Sequence, residues 1–137
     1  MTEFSWPVRV YIEDTDAGGI VYYVNYLKFF ERARTECLRS LGFDHYLTSA
    51  DPVLFVVRHA SVDYKQPARL DDQLMVSAAM SKIGRASLHF RQRITRAGVI
   101  IADAHIEVAC VDQQHLKPRP LPTTLSDLLA PLLGNTQ

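Results

Sequence analysis

The chain has 137 residues, 47% of them hydrophobic and 22% charged, with fifteen Lys and Arg balanced by fifteen Asp and Glu. That length encloses one core and not two, so a single domain over residues 1–137 is expected. A net charge of zero excludes a global field that would recruit nucleic acid or an anionic membrane, so any anionic ligand must be met by a local basic patch. Cys37 and Cys110 are too few for a disulfide scaffold and fall within regular segments, which predicts two reduced, buried thiols. "MTEFSWPVRVY" lacks the basic stretch and apolar run of a signal peptide, and no segment approaches the ~18 apolar residues of a membrane span. A cytoplasmic location is expected.

In chain order, "VRVYI" (8–12) is rich in β-branched and aromatic residues and predicts a first strand. From Asn25 to Leu41 the period changes: Tyr26, Phe30, Ala33, Cys37 and Leu41 recur at three- and four-residue steps, with Leu27 and Leu38 widening the stripe. Lys28, Glu31, Arg32, Thr35 and Arg39 take the other side. This predicts one long amphipathic helix, stopped at Gly42.

The remainder alternates with period two. Val56, Arg58, Ala60, Val62 and Tyr64 share a face of one expected strand (55–66), and Leu74, Val76, Ala78 and Met80 a face of the next (74–80). In 87–95, Leu88, Phe90 and Ile94 point inward; in 100–111, Ile100, Ala102, Ala104, Ile106, Val108 and Cys110 do so. The linkers "PARLDD" (67–72), "KIGR" (82–85) and "RAG" (96–98) are too short for parallel crossovers and favour antiparallel neighbours. "PTTLSDLLAPLL" (122–133) predicts a short terminal helix weakened by Pro131. One apolar sheet face needs one cover of matching size, the 25–41 helix. The expected architecture is α+β, a curved antiparallel sheet of about five strands around a central helix.

Chemistry concentrates in "EDTDAGGIVYY" (13–23), three acids ahead of two glycines and the helix start. A calcium loop beginning at Asp14 places Asp16 and Gly19 correctly but puts Gly18 and Asn25 where ligands are needed, so calcium is not expected. Asp14 or Asp16 as a turn or helix cap accounts for one acid, though not for the glycine pair, which lets backbone approach a ligand. A helix amino terminus offers free amides and a positive dipole end to an oxygen gaining charge, and a carboxylate beside it suits acyl-transfer hydrolysis.

The stretch "DTDAGGIVYYVNYLKFFERARTECL", with "FVVRHASVDYKQPARLDD" (55–72) and "CVDQQHLKPRPLP" (110–122), resembles the hotdog-fold acyl-CoA thioesterases of the 4-hydroxybenzoyl-CoA thioesterase type, closest to the YbgC, Tol–Pal-associated branch. The resemblance implies a helix wrapped by an antiparallel sheet, hydrolysis of acyl-CoA without metal or organic cofactor, and a homodimer or homotetramer with sites shared between subunits. It implies Asp16 as general base or nucleophile and Tyr23 as the residue whose backbone amide polarises the thioester carbonyl. Many members of the branch carry histidine at the Tyr23 position, so any assistance from that side chain is absent here. Arg85 and Ser87 match the turn where related enzymes hold the nucleotide phosphates. Lys82 is nearby, Lys117 and Arg119 are weaker candidates, and Arg58 either lines the acyl path or pairs with an acid.

His59, His89 and His105 fall on polar strand faces, where histidine is routine, and their spacing supports no zinc site. Acyl-chain length stays open, with a short aliphatic chain as the family-based expectation and an aromatic acyl group as the alternative. Two other readings stand beside hydrolysis: an enoyl-CoA hydratase on the same fold, and a non-catalytic adaptor for acyl carrier protein or envelope-associated partners.

Overall fold

The computed structural model describes residues 3–44 and 52–134. The elements are β1 (Phe4–Arg9), a 3-10 turn (Ile12–Asp14), α1 (Tyr23–Ser40), β2 (Val53–Tyr64), β3 (Gln73–Ile83), β4 (Ser87–Arg96), β5 (Val99–Asp112) and α2 (Thr123–Gly134). The strands form one sheet in the order β1-β3-β4-β5-β2, antiparallel throughout. Helix α1 lies across β1, β3 and β4. Its Phe29, Phe30, Ala33 and Leu38 join Leu74, Val76, Ala78, Leu88, Phe90 and Ile94 in the core. Full burial of Phe29 and of Phe30 contributes about 1.5–3 kcal/mol each. Leu125 and Leu129 of α2 are also fully buried. The expected α+β architecture, a helix wrapped by an antiparallel sheet, is what forms.

A second kind of bond ties helix to sheet. Gln92 on β4 is fully buried; its Oε1 accepts from Arg34 Nη1 at 2.9 Å, and its Nε2 donates to the carbonyls of Phe30 (3.0 Å) and Ser77 (3.2 Å). Ser77 Oγ accepts the Arg93 amide at 3.0 Å. Arg34 is therefore a core residue at 8% exposure, whereas Leu27, expected on the buried stripe, is 38% exposed.

Four expectations need correction. The first strand ends at Arg9 and begins at Phe4, because Val10 leaves the sheet to exchange backbone bonds with Asp71 and Asp72. Pro7 is tolerated within it because β1 is an edge strand. On β2 the register shifts between Val57 and His59, so Arg58 is the extra residue of a bulge. Phe55 and Val57 consequently share the helix-side face with Ala60 and Val62, and Val56 and Arg58 do not.

On β5 the register shifts where Ile94 pairs with Ala102 and Thr95 with Ile100, so Ile101 is buried and Ile100 is 37% exposed. The tight β4–β5 turn at Ala97 and Gly98, both at positive φ, has primed hairpin geometry and joins the antiparallel neighbours expected of the "RAG" linker. The 67–72 linker does not join neighbours, since β2 and β3 are separated by β4 and β5. It crosses the end of the sheet beneath the first turn of α1.

That arrangement leaves part of the molecule uncovered. Among the described residues strand β2 is paired only with β5, and its Val57 is 53% exposed although it faces the helix side. A groove of about 390 Å³ runs between α1 and β2, lined in part by Thr35, Leu38, Phe55, Val57 and Phe90.

Candidate active site

The acid-rich segment folds as a turn followed by a small hairpin. Asp14 is buried; its Oδ2 accepts the Tyr11 amide at 2.9 Å, closing the 3-10 turn. Thr15 then pairs with Val21, and the Asp16 amide donates to Ile20 O at 2.9 Å. Gly19, at φ 79°, makes the reversal between them. The hairpin sets Asp16 opposite Ile20, three residues ahead of Tyr23 at the mouth of α1. Asp16 is exposed, and its Oδ1 accepts the Gly18 amide at 2.8 Å, an Asx turn. Asp14 closes the 3-10 turn, and Asp16, whose Oδ1 closes the Asx turn, stays exposed to solvent.

The helix mouth is open. Tyr22 is the N-cap and makes no side-chain cap, and the Tyr23 amide has no acceptor among the described residues. The crossing linker braces this end, with the Val21 amide donating to Ala68 O (2.8 Å), the Leu70 amide to Gly19 O (3.2 Å), and the Ala68 amide to the Tyr26 hydroxyl (2.8 Å). Tyr64, at the end of β2, lays its ring edge-on between Tyr23 and Tyr26, with centroids 6.1 and 5.2 Å away. Burial, then the neighbouring Tyr23 and Tyr26, raises the Tyr64 pKa above the usual tyrosine range. Val21, Tyr23, Tyr26, Tyr64, Lys65 and Pro67 line a cavity of about 250 Å³ here.

The other expected binding residues lie elsewhere. Arg85 is exposed and Ser87 buried at the β3–β4 turn, the far end of β3 from the helix mouth. The ten rises along the eleven residues of β3 span about 33 Å at ~3.3 Å each. Within one chain the 15–21 hairpin that carries Asp16 leads into α1 at Tyr23, and Arg85 and Ser87 lie at the other end of β3. Ser87 O accepts the Gly84 amide at 2.9 Å, closing that turn, and Arg85 O accepts the Leu121 amide at 2.9 Å.

Arg58 points to the polar face and pairs with Glu107, the second of the two roles expected for it. His89 and His59 flank Glu107 while His105 sits between Ser61 and Arg91. Burial, then the Lys82 and Arg58 charges, lowers the His89 pKa. Among the described residues no group of three or more His, Cys, Asp or Glu side chains is disposed to hold a metal. No helix among them is long and apolar enough to cross a membrane. The parts of the site missed from sequence are Asn25 and Tyr64. Tyr64 lies in the quoted 55–72 stretch, but only the chain crossing shows that it reaches the helix.

A five-stranded antiparallel sheet around one long helix, with an acid-bearing hairpin at the open helix mouth, defines a hotdog-fold protein. Residues 18–101 match the family model described as the thioesterase superfamily, and the chain belongs to that family. It is similar to the acyl-CoA thioester hydrolase YbgC of Escherichia coli O6:H1, 48% identical over 125 residues that cover 90% of this chain and 93% of that one. It is also 48% identical over 120 residues to the acyl-CoA thioesterase YbgC of Haemophilus influenzae, covering 87% and 88% of the two chains. A Bartonella henselae crystal structure described as a probable thioesterase superposes with a TM-score of 0.84 at 34% identity, covering 88% of this chain and all of that one.

Proposed function

We propose that this chain is a cytoplasmic acyl-CoA thioesterase, one domain over residues 1–137, that converts an acyl-CoA and water to the free acid and coenzyme A thiol. The observation that carries the reading is the hairpin that bears Asp16 and runs directly into the uncapped amino terminus of α1. Asp16 takes a proton from water as the water attacks the thioester carbon, or attacks that carbon itself and is freed by water afterwards. Charge that develops on the carbonyl oxygen is met by the Tyr23 amide and the helix dipole. The C–S bond then breaks, and the thiolate leaves and takes up a proton. The Tyr23 contribution belongs to the main chain, so its side chain is replaceable. A short acyl chain is the assigned substrate, and an acyl carrier protein is a further candidate donor.

The working unit in this reading is a homodimer, or a tetramer made of two, paired through the open edge of β2. The Tyr64 end of β2 lies at the helix mouth, and its Val53 end lies toward the β4 start where Ser87 is. Antiparallel pairing of two β2 strands therefore sets the Asp16–Tyr23 end of one protomer beside the Arg85–Ser87 end of its partner. That these two ends lie a full strand apart within a chain thus favours a shared site, with Arg85 and Ser87 meeting coenzyme A phosphates across the interface.

The test is release of free thiol across a panel of acyl-CoA esters and acylated carrier protein. Wild type should release thiol, and Asp16→Asn should lose about 10²–10⁴-fold in turnover while keeping its fold. Full hydrolysis by Asp16→Asn, or no thiol from any ester with wild type, would overturn the assignment. Tight binding of an acylated carrier without thiol would favour an adaptor, and 3-hydroxyacyl-CoA without thiol a hydratase.

A further inference from the structure

We propose that Asn25 is a positioning residue that latches the acid-bearing segment onto the first turn of α1 and so sets where Asp16 stands relative to the Tyr23 amide; this rests on the hydrolytic reading above. Asn25 is the third residue of the helix, yet its side chain does not cap its own helix end. It reaches back eleven positions, and Nδ2 donates to the backbone carbonyl of Asp14 at 2.8 Å. The same carbonyl accepts the Tyr22 amide at 3.2 Å.

Asp14 is thereby held from two sides, by its carboxylate through Tyr11 and by its carbonyl through Tyr22 and Asn25. Asp16 is two residues further on. Among the described residues, Asn25 supplies the one side-chain hydrogen bond from the first turn of α1 to this segment. Among the described residues the Asp16 carboxylate is fastened only within its own hairpin, by Gly18, so its position relative to the helix mouth depends on how that hairpin is seated. Displacement of about 1 Å in a reacting geometry can cost 10²-fold in rate.

The Asn25 side chain bonds to backbone and not to any atom expected to meet substrate, so its loss should separate turnover from binding. Asn25→Ala should lower kcat by about ten- to a hundredfold and leave KM within about twofold. Asn25→Asp keeps the shape but sets an acceptor against the Asp14 carbonyl; it should lose at least as much, and it is read in the same way if the alanine variant does not fold.

Ser40→Ala serves as a control, because it removes a comparable bond, Ser40 Oγ to Cys37 O, at the other end of the same helix. It should leave kcat unchanged. Melting temperatures are measured for all three variants, and rates are taken well below them. Folded Asn25 variants with kcat within twofold of wild type, or with raised KM at unchanged kcat, would overturn the proposal. Wild-type and Asp16→Asn thiol release are measured alongside. If those behave as proposed and the Asn25 variants turn over normally, only the latch fails; if wild type releases no thiol, the hydrolytic reading fails first.

Discussion

Replacing Gln92 with Met tests how the helix is held to the sheet, because the swap keeps length and approximate volume while deleting every polar atom. Three hydrogen bonds are lost: one from the buried Arg34 guanidinium, and two to the carbonyls of Phe30 and Ser77. A bond to a charged group is worth about 1.5–3 kcal/mol, and each neutral one about 0.5–1.5. The Phe30 carbonyl keeps its helical partner, which holds the sum near the middle of that range, about 3–5 kcal/mol. Against a total stability of about 5–15 kcal/mol, this is a large fraction.

Urea unfolding followed by far-UV circular dichroism should show the midpoint falling by about 2 M, at an m value of about 2 kcal/mol/M and unchanged slope. A loss below about 1 kcal/mol would refute the reasoning. It would mean that Arg34 and the two carbonyls find other partners and that apolar contact alone fixes the helix.

Three further outcomes follow from local contacts elsewhere in the molecule. A Cβ built at Gly84 would stand 2.5 Å from Ser87 Oγ, so Gly84→Ala should cost about 1–2 kcal/mol, and adding Ser87→Ala should recover most of it in the same unfolding assay. At Asp72, burial works against ionisation, but the Arg69 amide and the Arg96 guanidinium outweigh it and hold the carboxyl below its ordinary range. Its pKa being depressed, the stabilisation is complete above about pH 4 and is lost as pH falls through the native value; Asp72→Asn should flatten that acid limb of a stability-versus-pH curve. Burial pushes the Cys37 thiol up to about 11, so iodoacetamide at pH 8 should leave it unlabelled in the native protein and alkylate it in urea.

Periodicity was enough for the elements and for the helix-in-sheet layout, because Phe30, Ala33, Leu88, Phe90 and Ile94 repeat at the spacings their structures demand. The proposal for Asp16 rests on a different signal, a local pattern of acid, glycines and helix start. Arg58 and Ile101 were not legible, since a bulge is decided by the partner strand and leaves no mark on the strand's own alternation. The path of 67–72 was hidden as well. Its length suits a hairpin, and only the pairing of β2 with β5 forces it across the helix mouth. Asn25 reads as a polar residue near a helix start, and nothing in its neighbours says that it bonds eleven residues back.

The proline in β1 has a consequence for growth. Pro7 sits mid-strand at one border of the sheet and has no amide hydrogen to give an incoming strand. Recruitment is thus discouraged on that side and left open on the other. A subunit with a single sticky border can join one neighbour and then stops, so the same lateral contact that would build a shared cleft is poorly suited to propagate into a fibre.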